Sequence, residues 1–574
     1  MKLKPFARFP LAAILALCQL STQADSLPPV AAEHGMVVTA QHLASHVGVD
    51  VLKAGGNAVD AAVAVGYALA VVYPAAGNLG GGGFMTIMLA DGRKTFLDFR
   101  EKAPLAAAPN MYLDSDGNVV KGASTEGYLA VGVPGTVAGM ERARAEYGTM
   151  QRAALLAPAI KCAQQGFVLE QGDVDMLATA TEYFKKDPAS AAIFLNRGKP
   201  FKAGQKLVQR DLAKTLKLVS EQGASGFYQG TVGRAIVASS KAGNGIISQA
   251  DLNEYSAREL KPVECSYRGY GIISAPPPSS GGVVLCEILN ILEGYPPKEL
   301  GFRSAQAVQY QIEAMRHAYA DRNAYLGDPD FVNNPVDRLL DKTYAEKIRA
   351  AIDPHRAGVS QQIRPGVAPH EGTNTTHYSI VDRWGNAVAV TYTLNDWFGA
   401  KVTAAGTGVL LNDEMDDFTT KLGAPNLYGL VQGAANAIAP GKRPLSSMTP
   451  TIVTKDGRTV MVLGTPGGSR IITAVLHTIL NVVDYGMDVQ EAVDAPRFHQ
   501  QWMPEATNLE PFALGPDTRR ILEGWGQTFG DAQPANHLAA ILVGAPSLGG
   551  KPVGRNRFYG ANDPRRRTGL ALGN

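Results

Sequence analysis

The 574-residue chain is 45% hydrophobic and 18% charged, which supplies a large buried core and exceeds the length of one minimal domain. Its 54 basic and 52 acidic residues nearly balance. Three of the cations, Lys2, Lys4 and Arg8, stand at the very start, leaving 51 basic against 52 acidic residues, a balance that speaks against nucleic acid or an anionic membrane surface as the main partner.

Those three cations begin a targeting pattern. A short apolar run, Leu11 to Leu17, follows them, and Thr22-Gln23-Ala24 offers small residues for cleavage before Asp25. Residues 1–24 therefore read as a signal peptide. The apolar run is too short for a mature membrane span, and Leu17 stands where a lipoprotein signal needs a small residue before Cys18. The mature chain is expected to be exported and soluble, in the periplasm if the source is Gram-negative and secreted otherwise. Cys162, Cys265 and Cys286 then remain, an odd number without a CxxC pair. At least one thiol must be unpaired. They read as small buried hydrophobes rather than as a disulfide framework or a zinc site.

In chain order, a short strand at Met36–Ala40 precedes two helical patterns, Ala44–Ala54 and Ala58–Val71, broken by Gly55-Gly56-Asn57. Gly77-Asn78-Leu79-Gly80-Gly81-Gly82-Gly83-Phe84 is not a phosphate loop, since no Gly-Lys-Ser/Thr follows. It feeds a strand, so it marks a close approach of backbone to backbone or ligand. Phe84–Ala90 and Thr95–Phe99 form a hairpin around Asp91-Gly92, and Arg100 lies at its exit. Residues 127–360 look mostly helical, with amphipathic stretches at 152–165, 212–222, 283–293 and 304–326. Residues 355–374 read as an exposed linker. From His377 the pattern turns to strands: His377–Asp382 and Ala387–Leu394 around a turn, then Thr451–Lys455 and Thr459–Leu463 around Asp456-Gly457. Helices at Arg470–Tyr485 and Val489–Ala495 and strands at Ala539–Val543 and Phe558–Gly560 complete the chain. This order predicts a layered α/β architecture with sheet packed on sheet and helices outside.

The chemistry concentrates around Asn374-Thr375-Thr376-His377-Tyr378. A Thr hydroxyl is a poor nucleophile until a base stands beside it, and cutting the chain before the Thr frees its own α-amino group for that task. With Arg383-Trp384-Gly385 as the hairpin loop, Asp382 pairs with Asn386 and, counting outward, Thr375 pairs with Thr393. Directly opposed side chains lie about 4.5–5.5 Å apart at Cβ. Asn395 shares that face. On spacing alone an ordinary Thr-rich strand explains as much. Pro466-Gly467-Gly468-Ser469-Arg470 joins a strand to a helix and offers bare N–H groups to an oxyanion, or is a plain capped turn. Asp413, Glu414, Asp416 and Asp417 form an acidic run suited to a solvated loop, a cation or an ammonium. Arg443 with Ser446 and Ser447 suits a carboxylate, or is a common polar loop.

Taken in order, Asn-Thr-Thr-His-Tyr-Ser at 374–379, Thr-Tyr-Thr-Leu-Asn at 391–395, Met-Asp-Asp-Phe at 415–418, Arg-Pro-Leu-Ser-Ser-Met at 443–448 and Pro-Gly-Gly-Ser-Arg at 466–470 resemble the γ-glutamyltranspeptidase family. So do Gly-Gly-Asn-Ala-Val-Asp-Ala-Ala at 55–62, the glycine run at 77–84, Asp-Phe-Arg-Glu at 98–101 and Pro-Pro-Pro-Ser-Ser-Gly-Gly at 276–282. The resemblance is strongest to bacterial periplasmic members. It implies the N-terminal-nucleophile hydrolase αββα sandwich, made as one precursor and cut between Asn374 and Thr375. The large subunit would run from 25 to 374 and the small one from 375 to 574, together a heterodimer.

Residue by residue, the resemblance implies that Thr375 is the nucleophile, oriented by Thr393. Gly467 and Gly468 hold the oxyanion. Arg100, Ser446 and Ser447 take the α-carboxylate of a γ-glutamyl donor such as glutathione, and Asn395, Glu414 and Asp417 take its α-ammonium. The γ-glutamyl ester would pass to water or to an amino acid or dipeptide. No cofactor or metal is implied. The segment Thr419–Gly433, with Tyr428, resembles the lid loop of some members, and Asp417 argues against a related glutaryl-cephalosporin acylase. Asp396-Trp397 departs from the small hydroxyl residues of enterobacterial relatives, which bears on acceptor use.

Overall fold

The computed structural model describes residues 26–363, 375–424, 426–427, 430–531 and 536–574. Asn374, Tyr428 and the 1–24 leader lie outside them.

Two seven-stranded sheets form the centre, and every pairing in both is antiparallel. One runs Leu570–Gly573, Met36–Thr39, Thr376–Val381, Ala387–Thr393, Gly82–Met88, Lys94–Phe99 and Arg258–Leu260. The other runs Val30–Ala32, Phe558–Asn562, Ala539–Val543, Arg458–Gly464, Thr451–Lys455, Tyr270–Ser274 and Val263–Tyr267. Successive strand side chains point to opposite faces, and here both faces are covered. In Ala387–Thr393, Ala387 and Ala389 enter the core between the sheets. Val388, Val390 and Tyr392 enter the core beneath helices His42–Lys53 and Ala58–Val72. On the second sheet, Ile541 faces inward, while Ala540 and Leu542 pack beneath helices Gly281–Leu292, Ala305–Tyr325 and Arg470–Val483. The result is the expected αββα sandwich.

The three hairpin turns fall where their sequences place them. The middle of the chain differs from its helical expectation by carrying Arg258–Leu260, Val263–Tyr267 and Tyr270–Ser274. The last two form the far edge of the second sheet. Val263–Tyr267 exposes Glu264 and Ser266 and pairs on one side only, so it lacks the apolar run of a central strand. Its edge position is also where Cys265 meets Cys286 of helix Gly281–Leu292 in a disulfide. The reading of the mature cysteines as small buried hydrophobes is thus corrected for this pair, and Cys162 is the free one of the three. The 355–374 segment is not wholly an exposed linker either. Ser360 is fully buried, accepting from Arg316 Nη1 at 2.7 Å while its carbonyl takes the Trp502 indole N–H at 2.8 Å. Polar partners anchor that turn, which apolar periodicity does not report.

Candidate active site

Thr375 stands just before Thr376–Val381, in the middle of the first sheet, and Thr393 ends the neighbouring strand. The ladder runs from Thr376 opposite Tyr392 to Val381 opposite Ala387, the register counted from the loop. Thr393 Oγ1 accepts the Asn395 backbone N–H at 2.8 Å and directs its own proton toward Thr375 Oγ1 at 3.4 Å. Both residues are buried. Asn395 adopts φ 79° and gives its side-chain amide to the Asp413 carbonyl at 3.1 Å.

The glycine run sets how close this strand end lies to its neighbours. A Cβ on Gly81 would stand 2.0 Å from the Thr393 carbonyl oxygen. Asn78 Nδ2 donates to that same oxygen at 2.8 Å while Asn78 Oδ1 accepts the Gly81 N–H at 2.9 Å. The close approach expected from sequence is therefore backbone on backbone.

His377 is excluded as the base. Its Nδ1 bonds Thr391 Oγ1 at 2.8 Å and its Nε2 bonds Ser379 Oγ at 3.0 Å. Burial between the sheets pushes it down to about 3, so it is neutral and engaged at both nitrogens.

From the other sheet, Arg458–Gly464 runs into the turn holding Gly467 and Gly468, with φ of 132° and 56°. Only glycine adopts such values at little cost. Gly468 and Ser469 border a small cavity with Thr375, Thr393 and Asn395, whereas Gly467 backs onto Asn536. The cavity holds about 20 Å³, room for about one water.

Charged groups from distant parts of the chain close its far side. Arg100 leaves strand Lys94–Phe99, ion-pairs with Glu414 and Asp417, and reaches Glu101 at 3.6 Å. Burial opposes its charge, but these carboxylates hold its pKa above the ordinary value. Burial raises all three acids, Glu101 to about 7, and Arg100 opposes the rise. The acidic run therefore divides: Glu414 and Asp417 face the cavity, whereas Asp416 accepts from Ser124 and the Leu427 N–H at 2.7 Å each and anchors the segment Thr419–Gly433. Leu430 of that segment lines the cavity. Asp396 pairs with Lys401 at 2.7 Å, Trp397 lies 5.4 Å from the Arg566 guanidinium, and neither lines the cavity.

Ser446 and Ser447 complete the wall. Ser446 Oγ accepts the Met448 N–H and Ser447 Oγ accepts from Arg322 Nη2, at 3.1 and 3.0 Å, so both hydroxyl protons remain for a ligand. Pro276–Gly282 positions this loop: Ser280 gives its N–H and its hydroxyl to the Ser446 carbonyl at 2.8 and 2.7 Å, and Ser279 Oγ donates to the Met448 carbonyl at 2.6 Å. Arg322 went unnoticed in the sequence. Its signal is three consecutive buried polar residues, Asp321-Arg322-Asn323, within a long helix.

A family model described as Gamma-glutamyltranspeptidase matches residues 44–573. The chain belongs to that family. It is 74% identical over 574 residues, 100% of both chains, to the glutathione hydrolase proenzyme of Pseudomonas sp. (strain A14). It is 50% identical over 551 residues to that of Escherichia coli (strain K12), covering 96% of this chain and 93% of that one. Among solved structures, cephalosporin acylase from Bacillus halodurans aligns with a TM-score of 0.83 at 26% identity, covering 97% of this chain and 98% of that one. The protein is accordingly an enzyme of the γ-glutamyltranspeptidase family with the N-terminal-nucleophile hydrolase fold. No helix among the described residues is long and apolar enough to cross a membrane.

Proposed function

We propose that the enzyme cuts itself between Asn374 and Thr375 and then transfers γ-glutamyl groups from glutathione and related amides through an ester on Thr375. The observation that carries this reading is the Thr375–Thr393 hydroxyl pair at the end of a cavity walled by one guanidinium and its carboxylates. In the precursor, Thr375 Oγ1 attacks the Asn374 carbonyl, the peptide nitrogen leaves in an N-to-O shift, and water opens the ester. The freed α-amine, with an ordinary pKa of about 7.7–8.0, takes the Thr375 hydroxyl proton in each later turnover. Residues from 25 to 374 and from 375 to 574 form the two subunits, and the leader directs export to the periplasm.

The donor head group fits by charge. Arg100 offers a forked contact to an α-carboxylate, with the Ser446 and Ser447 hydroxyls donating beside it. The α-ammonium meets Asp417, Glu414 and Asn395. Arg100 is already ion-paired with Glu414 and Asp417, so the donor carboxylate exchanges with part of that cluster as it enters. N–H groups of the Gly467-Gly468 turn take the oxyanion. Release of p-nitroaniline from γ-glutamyl-p-nitroanilide, with and without glycylglycine, tests donor and acceptor together. No release in either case would end this reading. A β-lactam side-chain acylase would need no ammonium partner, yet Asp417 faces the cavity.

Donor binding should depend on pH through Glu101. Its carboxyl is protonated below about 7 and charged above. An acid raised on folding stabilises the fold below its unfolded pKa and loses that contribution as pH rises through the folded one. The ligand-free enzyme should therefore lose thermal stability between about pH 4.5 and 7. Affinity for an ammonium-bearing ligand should grow as pH rises through about 7, where the folded Glu101 ionises. Glutamate inhibition constants measured from pH 5.5 to 8.5 should show this limb, and Glu101→Gln should flatten it. An unchanged profile in the variant would remove Glu101 from the account.

A further inference from the structure

Ser469 follows the two positive-φ glycines and is gripped at both its carbonyl and its side chain. Tyr319, fully buried on helix Ala305–Tyr325, donates its hydroxyl to the Ser469 carbonyl at 2.5 Å. Ser469 Oγ donates to Gln501 Oε1 at 2.5 Å. His499 Nε2 reaches the same amide oxygen at 2.8 Å, and its Nδ1 reaches Thr473 Oγ1 at 2.9 Å. An amide oxygen only accepts, so Nε2 carries the His499 proton and Nδ1 accepts from Thr473. Gln501 Oε1 is thus a hub receiving two protons, one from the turn and one from the imidazole. The His499 ring also lies edge-on to Tyr319 with centroids 5.5 Å apart. Burial keeps the Tyr319 hydroxyl protonated and the imidazole neutral, so neither donor is lost near neutral pH.

We propose that Tyr319 and Gln501 are positioning residues that clamp Ser469 and thereby hold the Gly467-Gly468 turn in its oxyanion-binding shape. This rests on the γ-glutamyl-ester reading above. The physical need is local. Gly467 and Gly468 each have broad conformational freedom, and N–H groups that stabilise a developing oxyanion must be held before the charge appears. The preceding side of the turn is fixed as well, with the Pro466 carbonyl taking Asn536 Nδ2 at 2.6 Å. The clamp fixes the following side, and it touches no reacting atom.

Tyr319→Phe removes one hydroxyl, and Ser469→Ala removes the other grip. Each processed variant should lose roughly 10- to 100-fold in kcat, less than deleting an oxyanion donor outright, with KM within about twofold. A γ-boronic acid analogue of glutamate, which places a tetrahedral oxyanion on the nucleophile, should bind more weakly by the same factor as kcat. Glutamate itself should bind as in wild type. A variant with undiminished kcat, or with boronate and glutamate weakened alike, would overturn the clamp. Wild-type enzyme with neither γ-glutamyl turnover nor boronate binding would instead overturn the ester reading. The two failures are therefore distinguishable, and the second variant covers poor folding of the first.

Discussion

Thr375→Ala should leave the purified protein as one chain without γ-glutamyl turnover, where the wild type runs as two. Two losses combine in this variant. In the proposed mechanism one hydroxyl both cuts the Asn374–Thr375 bond and carries the ester, and both tasks lose it. The expected fall in activity is on the order of 10⁴-fold or more, the scale seen when a nucleophile is deleted. Folding should survive, because the Thr376–Val381 ladder and its flanking cores do not use the Thr375 hydroxyl. Gel electrophoresis reads the first loss and γ-glutamyl-p-nitroanilide the second. A wild-type protein that folds and turns over while remaining one chain would remove the α-amine as base. His377 could not replace it, since both its nitrogens are engaged and burial holds it neutral.

Asp417→Asn should separate two kinds of donor. The substitution keeps size and leaves Arg100 paired with Glu414, so the wall stays standing. What it deletes is a negative charge where the proposed donor places its α-ammonium. Losing one partner of a desolvated charge pair costs about 3–4 kcal/mol, or roughly 10²- to 10³-fold in kcat/KM. A glutaryl amide, which has no ammonium, should lose far less. Parallel kinetics on γ-glutamyl and glutaryl anilides supply the ratio. Equal losses on both would show that Asp417 only props Arg100.

The legible parts of this enzyme were those governed by short-range rules. Asp91-Gly92 and Asp456-Gly457 marked hairpins because such dipeptides favour the turns that antiparallel strands need. The loop at 383–385 set the strand register, and from it Thr393 was found opposite Thr375 by counting. The motif order also carried the family. The edge strand Val263–Tyr267 escaped because Glu264 and Ser266, two of its five residues, face solvent and only pairing with Tyr270–Ser274 makes it a strand. The Cys265–Cys286 bond escaped for the same reason, since the edge strand brings the two residues together.

By itself, then, the sequence determined the hairpins and the helices flanking them, which hydroxyls oppose each other across the hairpin, and which residue types are available for nucleophile, guanidinium and acid. Those properties depend on neighbours along the chain or on the period of a strand. Tertiary structure alone decided that Arg100 meets Glu414 and Asp417. It also decided that Ser279 and Ser280 carry the Ser446–Met448 loop, and that Arg322 and Tyr319 reach the site from one helix. These contacts join segments separated by more than a hundred residues, with the exact partners set by how two sheets and their helices pack. No local spacing rule encodes that packing, and burial among those partners is what raises the acids beside Arg100.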